Sequence, residues 1–342
     1  MLYREALNKA IDEMMEIDKT VVVLGEDVGF YGGNYRVTEN LYAKYGEKRV
    51  LDTPIAENSI IGNAIGMALA GLRPVAEIMT VNFILIAMDQ IVNQLAKLRY
   101  MSGGKIELPV VVRSPQGVSK QLAAQHSQSL ERFFTSVPGL ITLVASDATS
   151  AYYGLKYAIQ TNDPVIFLEH ELLYPIKMEL KIQKDFNPFK AEIVKEGEHI
   201  TIVSYLKMLH DTLKVVPVIE EKLKISIEVI NLHSLNPLDM ETISNSIKKT
   251  GRFVIITEEP KTGSFAGEVI SRVIEENFYY LDAPPLRICG EDVPTPYNRR
   301  LELLSIPTPE KIISQIVHWS KENGLWTNYA PINRYNGRGE NC

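Results

Sequence analysis

Few side chains in this sequence combine reactive chemistry with an apolar setting, and Glu57 is the first of them. It follows Leu51–Ala56 (LDTPIA) and opens the run ENSIIGNAIGMALAG, which ends at Gly71. Asn58 and Ser59 suit a helix start and Gly71 a helix stop. A carboxylate at that junction has two uses. It can rest on the positive end of the helix dipole. Alternatively, partial desolvation raises its pKa until it shares a proton with a bound heteroaromatic ring. Gly62 and Gly66 lie four apart on one helix face. Each costs about 1 kcal/mol against alanine, so close approach by another backbone or a flat ligand is expected.

His126 is the second such residue. It is the only strong acid–base group in Ser114–Leu130, a loop long for a compact α/β unit. A loop histidine is either a solvated hydrogen-bonding residue or, at an active edge, a substrate contact or proton donor. Met79 and Phe83 read either as core or as ligand contacts. Other chemistries are excluded. Gly103-Gly104-Lys105 lacks the remaining residues of a phosphate-binding P-loop, no GxGxxG follows a strand, and neither HExxH nor CxxC occurs. Gly25–Gly33 bears glycines, but Glu26 and Asp27 would repel a phosphate. Cys289 falls in an apolar strand and Cys342 ends the chain, with neither metal-ligand nor redox spacing. Glu258-Glu259 and the stretch 292–297 (DVPTPY) read as surface loops.

The elements that must position these groups alternate. Strands are expected at Thr20–Gly25, Pro74–Met79, Pro109–Arg113, Leu140–Ala145 and Val165–Glu169. Helices are expected at 58–71, 82–99, 129–137 and 149–160. Apolar strands alternating with helices imply a parallel sheet covered on both faces, with ligands at the carboxyl ends of its strands. Glu26, Glu57, Met79, Phe83 and the loop after Arg113 all fall at that edge. The polar, proline-bearing stretch Leu180–Lys190 reads as a linker. A second α/β unit follows, with strands at 200–205, 225–231, 252–258 and 286–289 and a closing helix near 308–320.

A chain of 342 residues with 45% hydrophobic and 23% charged residues should form about two soluble domains. The net charge of −6 argues against nucleic acid, and no uncharged apolar run reaches the roughly 18 residues needed to cross a bilayer. The first eighteen residues form an acidic amphipathic pattern, neither a signal sequence nor an Arg-rich transit peptide.

Several blocks now stand together: LGEDVG (24–29), DTPIAE (52–57), GLRPVAEIMTVNF (71–83), YMSGG (100–104), QHSQ (125–128), PGL (138–140), NDPVIFLEHE (162–171) and DVPTPY (292–297). Over roughly residues 1–320 the chain resembles the β subunits of the decarboxylating component of 2-oxoacid dehydrogenase complexes, those acting on pyruvate above all. The resemblance implies an α/β, transketolase-like fold: a pyrimidine-binding domain over 1–180, a linker over 181–195, a C-terminal transketolase domain over 196–322 and a tail over 323–342. It also implies thiamine diphosphate shared with an α subunit, which holds the diphosphate and Mg²⁺ through a GDG motif absent here. Glu57 corresponds to the glutamate that hydrogen-bonds the pyrimidine nitrogen, and Met79 and Phe83 to apolar contacts of that ring. Glu26 corresponds to an acidic group between paired sites, and His126 to a histidine assisting acyl transfer to the lipoyl group. Some members hold K⁺ on carbonyls matching Val110, Ala158, Ile159, Thr161 and Asp163, although Thr161 stands where an acidic residue is common. The implied assembly is an α₂β₂ heterotetramer serving a lipoyl acyltransferase core, in a bacterial cytoplasm or a plastid stroma. Alternatives are a branched-chain 2-oxoacid or acetoin enzyme, and a non-catalytic assembly subunit.

Overall fold

The computed structural model describes residues 1–183 and 185–325. The expected tail lies outside the described residues from Trp326 onward, Cys342 included. The first half contributes β1 (Val21–Gly25), β2 (Val50–Asp52), β3 (Arg73–Glu77), β4 (Val111–Gln116), β5 (Ile141–Val144) and β6 (Val165–His170). The second contributes β7 (Glu192–Lys195), β8 (Ile200–Ser204), β9 (Ile227–Asn231), β10 (Ser234–Asn236), β11 (Phe253–Pro260) and β12 (Leu286–Gly290).

One sheet runs β10-β5-β6-β4-β3-β1-β2 and is parallel except for β10. Its central strands are buried on both faces, which is why β1 reads as an unbroken apolar run. Successive residues point to opposite layers. Val111 packs with Tyr3, Leu7 and Leu155 of the helices Tyr3–Ile17 and Ala148–Gln160. Val112 packs with Ile60, Ile61 and Ala64 of the helix Glu57–Leu69. That second layer continues without a break through Phe134 to Val203, Leu232 and Phe253, so the two sheets share a core. The other sheet runs β12-β11-β8-β9-β7, parallel except for β7.

Three features differ from the sequence expectation. The segment read as a linker over 181–195 ends in β7, an edge strand paired with β9. The short β10 returns from the second half to the first sheet, where the Val144 N–H donates to the His233 carbonyl at 2.9 Å. The helix expected over 82–99 is four short turns: Val81–Ile84, a 3₁₀ turn at Leu85–Ala87, a π turn at Gln90–Leu95, and Leu98–Met101. Apolar spacing signals that a segment has a buried side, but it does not report whether the backbone bonds that wind it span three, four or five residues. No described helix is long and apolar enough to cross a membrane.

Candidate active site

Consecutive strand ends deliver the candidate residues. Glu26 follows β1, Glu57 lies five residues after β2, Met79 two after β3, and the His126 loop leaves β4. Because β4, β3, β1 and β2 are neighbours in the sheet, these segments lie side by side at its carboxyl edge. Glu57 is the first residue of its helix and is only 4% exposed; no described group hydrogen-bonds its carboxylate. Glu26 is 7% exposed and its Oε1 is buried without a partner. Burial first, then the negative charges of Glu57, Asp27 and Glu77, push the Glu26 carboxyl above its ordinary value.

Behind them sits a carboxylate that is satisfied. Arg113 donates through Nε and Nη2 to Glu169 at 2.8 and 2.5 Å and through Nη1 to Glu77. Tyr174 adds a 2.6 Å hydrogen bond to Glu169. All four are buried, and a fork-shaped guanidinium suits such a pair.

The structure brings Phe83 and His126 together. Their rings meet edge to face with centroids 5.3 Å apart, and the imidazole is exposed. Gln128 holds this end of the loop, its N–H and side-chain amide donating to Asn82 Oδ1 at 3.1 and 3.0 Å. Met79 is half-buried beside them in sequence. Among the described residues, no hydrogen bond or ion pair joins His126 to Glu57 or Glu26.

Sequence reasoning missed the second domain's share. Glu258 and Glu259, read as surface residues, are 8% and 0% exposed on β11. Glu258 accepts from the Val118 N–H and Glu302 from the Gln121 N–H, the latter at 2.8 Å. Thr295 Oγ1 donates to the Ser127 carbonyl at 3.2 Å. A cleft of about 390 Å³ separates Ser127–Leu130 and Arg132 from Thr262 and Asp292–Thr295. A signal for Glu258 was present: FVIITEE repeats the pattern of VVVLGED, with acids at the end of a buried strand.

The carbonyls matched to a cation site already bind a cation of another kind. Arg73 Nη1 donates to Ile159, Gln160 and Thr161 carbonyls at 3.1, 3.1 and 2.9 Å, capping the helix Ala148–Gln160. The Val110 carbonyl accepts the Val165 N–H at 2.9 Å, Ala158 is buried in the helix, and Asp163 pairs with Arg99 at 3.1 Å.

Residues 1–177 match the family model described as the transketolase pyrimidine-binding domain, and 189–312 that of the transketolase C-terminal domain. The pyrimidine-binding match spans the whole edge from Glu26 to His126. A pyruvate dehydrogenase E1 component subunit beta from Gracilaria tenuistipitata var. liui is 46% identical, covering 92% of this chain and 98% of its own. One from Porphyra purpurea is 47% identical over 91% and 94%. This chain belongs to the family of pyruvate dehydrogenase E1 β subunits. A mitochondrial E1 β-1 subunit of Arabidopsis thaliana is also 46% identical, over 92% of this chain and 87% of its own. The fold is shared more widely. A solved chain described as a split gene transketolase, inactive β4 tetramer, superposes with a TM-score of 0.77 at 22% identity, covering 94% of this chain and 98% of its own. For an E1 β subunit, the edge offers one carboxyl without a partner, one with a raised pKa, an apolar wall and an exposed imidazole.

Proposed function

We propose that this chain receives the aminopyrimidine ring of thiamine diphosphate, and that with an α subunit it decarboxylates pyruvate and acetylates a lipoyl acyltransferase core. The observation that carries this reading is the buried, partnerless Glu26 Oε1 beside Glu57, which is 4% exposed and has no described hydrogen-bond partner. A buried carboxyl is costly unless a ligand completes its hydrogen bonds, and a ring nitrogen would do so. When bound, the cofactor supplies the electron sink for carbon–carbon cleavage. Glu57 would accept or donate the hydrogen bond at the ring nitrogen, and Glu26, whose carboxyl burial and the neighbouring Glu57, Asp27 and Glu77 push above its ordinary value, stands close by. Met79 and Phe83 shield that hydrogen bond from water. His126, standing on the Phe83 edge, is available to move a proton during acyl transfer to the lipoyl sulfur.

The diphosphate and Mg²⁺ fall to the α subunit in this reading, since this chain has no GDG. An α₂β₂ assembly is supported by the helix Glu57–Leu69. A Cβ at Gly66 would meet nothing within 4 Å and one at Gly62 only Gln90, so the glycine face is open to close packing by another chain. Ile55, Ile86 and Tyr100 are exposed at 82%, 64% and 87% and would be covered with it. A K⁺ ion would share the Ile159 and Thr161 carbonyls with Arg73. The algal relatives favour a plastid stroma or a related bacterial cytoplasm.

The test is 2-oxoacid decarboxylation by this chain assembled with α, thiamine diphosphate and Mg²⁺, comparing pyruvate with 3-methyl-2-oxobutanoate. Pyruvate should be preferred. Preference for the branched acid, or inactivity of a cofactor-loaded tetramer, would overturn the assignment.

A further inference from the structure

The His126 loop leaves the first sheet directly over a buried pair drawn from both domains. His170, the last residue of β6, lies 1% exposed with Nε2 3.2 Å from Glu258 Oε2. The Leu172 N–H donates to His170 Nδ1 at 3.2 Å, so the proton of the ring is on Nε2 and points at Glu258. The other Glu258 oxygen takes the Val118 N–H. Between these contacts passes Gly117, at φ +98, where a Cβ would stand 2.2 Å from His170 Nε2 and 2.8 Å from Glu258 Oε1. Only glycine lets the backbone press onto the pair. Burial pushes the Glu258 carboxyl up, but His170, Lys207 and the Val118 N–H outweigh it and hold the group below its ordinary value. Gln116 secures the other end, its side chain accepting from the Leu130 N–H at 3.2 Å and donating to Glu131 at 2.8 Å.

We propose that His170 and Glu258 are positioning residues that fix the root of the loop and so aim His126 at the incoming lipoyl group. This rests on the role given to His126 above. The second domain thereby takes part in acyl transfer through a contact made 8–9 residues from the imidazole.

The experiment uses the enzyme assembled with its α subunit and loaded with cofactor. Two rates are compared: pyruvate decarboxylation with an artificial electron acceptor, and reductive acetylation of a lipoyl domain. His170→Ala should lower kcat for reductive acetylation roughly tenfold or more, the order expected when a reacting group is misplaced, and leave decarboxylation nearly unchanged. His170→Gln, whose amide can donate to Glu258 and accept from Leu172, should recover most of the loss. His170→Ala added to His126→Ala should cost nothing further. Equal loss of both rates, or no rescue by glutamine in a cofactor-loaded tetramer, would reduce the pair to a structural contact and overturn the inference. If His126→Ala alone leaves reductive acetylation intact, the role of His126 falls, and the aiming role falls with it. If His126→Ala is slow and His170→Ala is not, only the positioning role is lost.

Discussion

Glu57 and Glu228 are both almost wholly buried, one in each half of the chain, yet their surroundings differ in kind. Glu228 on β9 accepts from Ser246 Oγ at 2.5 Å, from the Lys249 ammonium, and from the Gly197 N–H at 3.4 Å. Glu57 has the positive end of its helix and no hydrogen-bond partner among the described residues. A buried acid whose acceptors are filled by its own chain is part of the fold. One whose acceptors are left open is paid for by something that arrives later.

The sharpest way to break this contrast is Glu57→Gln in the assembled enzyme. An amide keeps the size and removes the acid that would hydrogen-bond the ring nitrogen, so pyruvate decarboxylation should fall by roughly a hundredfold or more. The thermal midpoint of the isolated chain should stay within a degree or two, since no internal hydrogen bond is lost. Near-normal turnover would end the assignment of Glu57. Glu228→Gln should do the reverse. It should lower the stability of the isolated chain by about 1–3 kcal/mol, the cost of weakening a charged, buried hydrogen-bond set, and leave kcat of the assembled enzyme unchanged. Denaturant unfolding and a steady-state assay decide it, and a loss of kcat with full stability would contradict it.

What was legible from the sequence follows the same division. The carboxyl edge, Glu57, Glu26 and His126 were visible because each depends on a local pattern: an apolar strand, then an acid or a long loop. Glu258 carries that pattern too, but its partners, Val118 and His170, are 140 and 88 residues away, and no local spacing reports them. The same holds for Arg73, which reaches across 88 residues to cap a helix that looks uncapped in sequence, and for β10, a three-residue strand whose mate lies about ninety residues upstream. Long-range pairing escapes periodicity. Winding does too, as the broken 82–99 segment demonstrates.

A smaller effect tests whether Glu26 belongs with Glu57. Its carboxyl is raised by burial and by neighbouring acids. A group whose folded pKa lies above its unfolded value favours the fold where it is protonated, below the unfolded value of about 4.3. That contribution disappears as pH rises through the folded value. Glu26→Gln, neutral at every pH, should therefore raise the thermal midpoint by a few degrees at pH 8 and have little effect at pH 4. A gain that is the same at both values would mean that the charge of Glu26 is not what matters.

The smallest effect concerns the open glycine face. In the isolated chain Gly66→Ala meets no atom within 4 Å, sits near the end of a thirteen-residue helix, and should gain up to about 1 kcal/mol from helix propensity alone. In the assembled enzyme the same methyl group would stand where another backbone is expected to pass, so association with α should weaken while the monomer is more stable. Opposite signs in the two measurements, thermal unfolding of the free chain and α–β affinity by titration, distinguish a packing glycine from a neutral one. If both stabilities rise together, nothing packs against Gly66, and the face that covers Glu57 lies elsewhere on the helix.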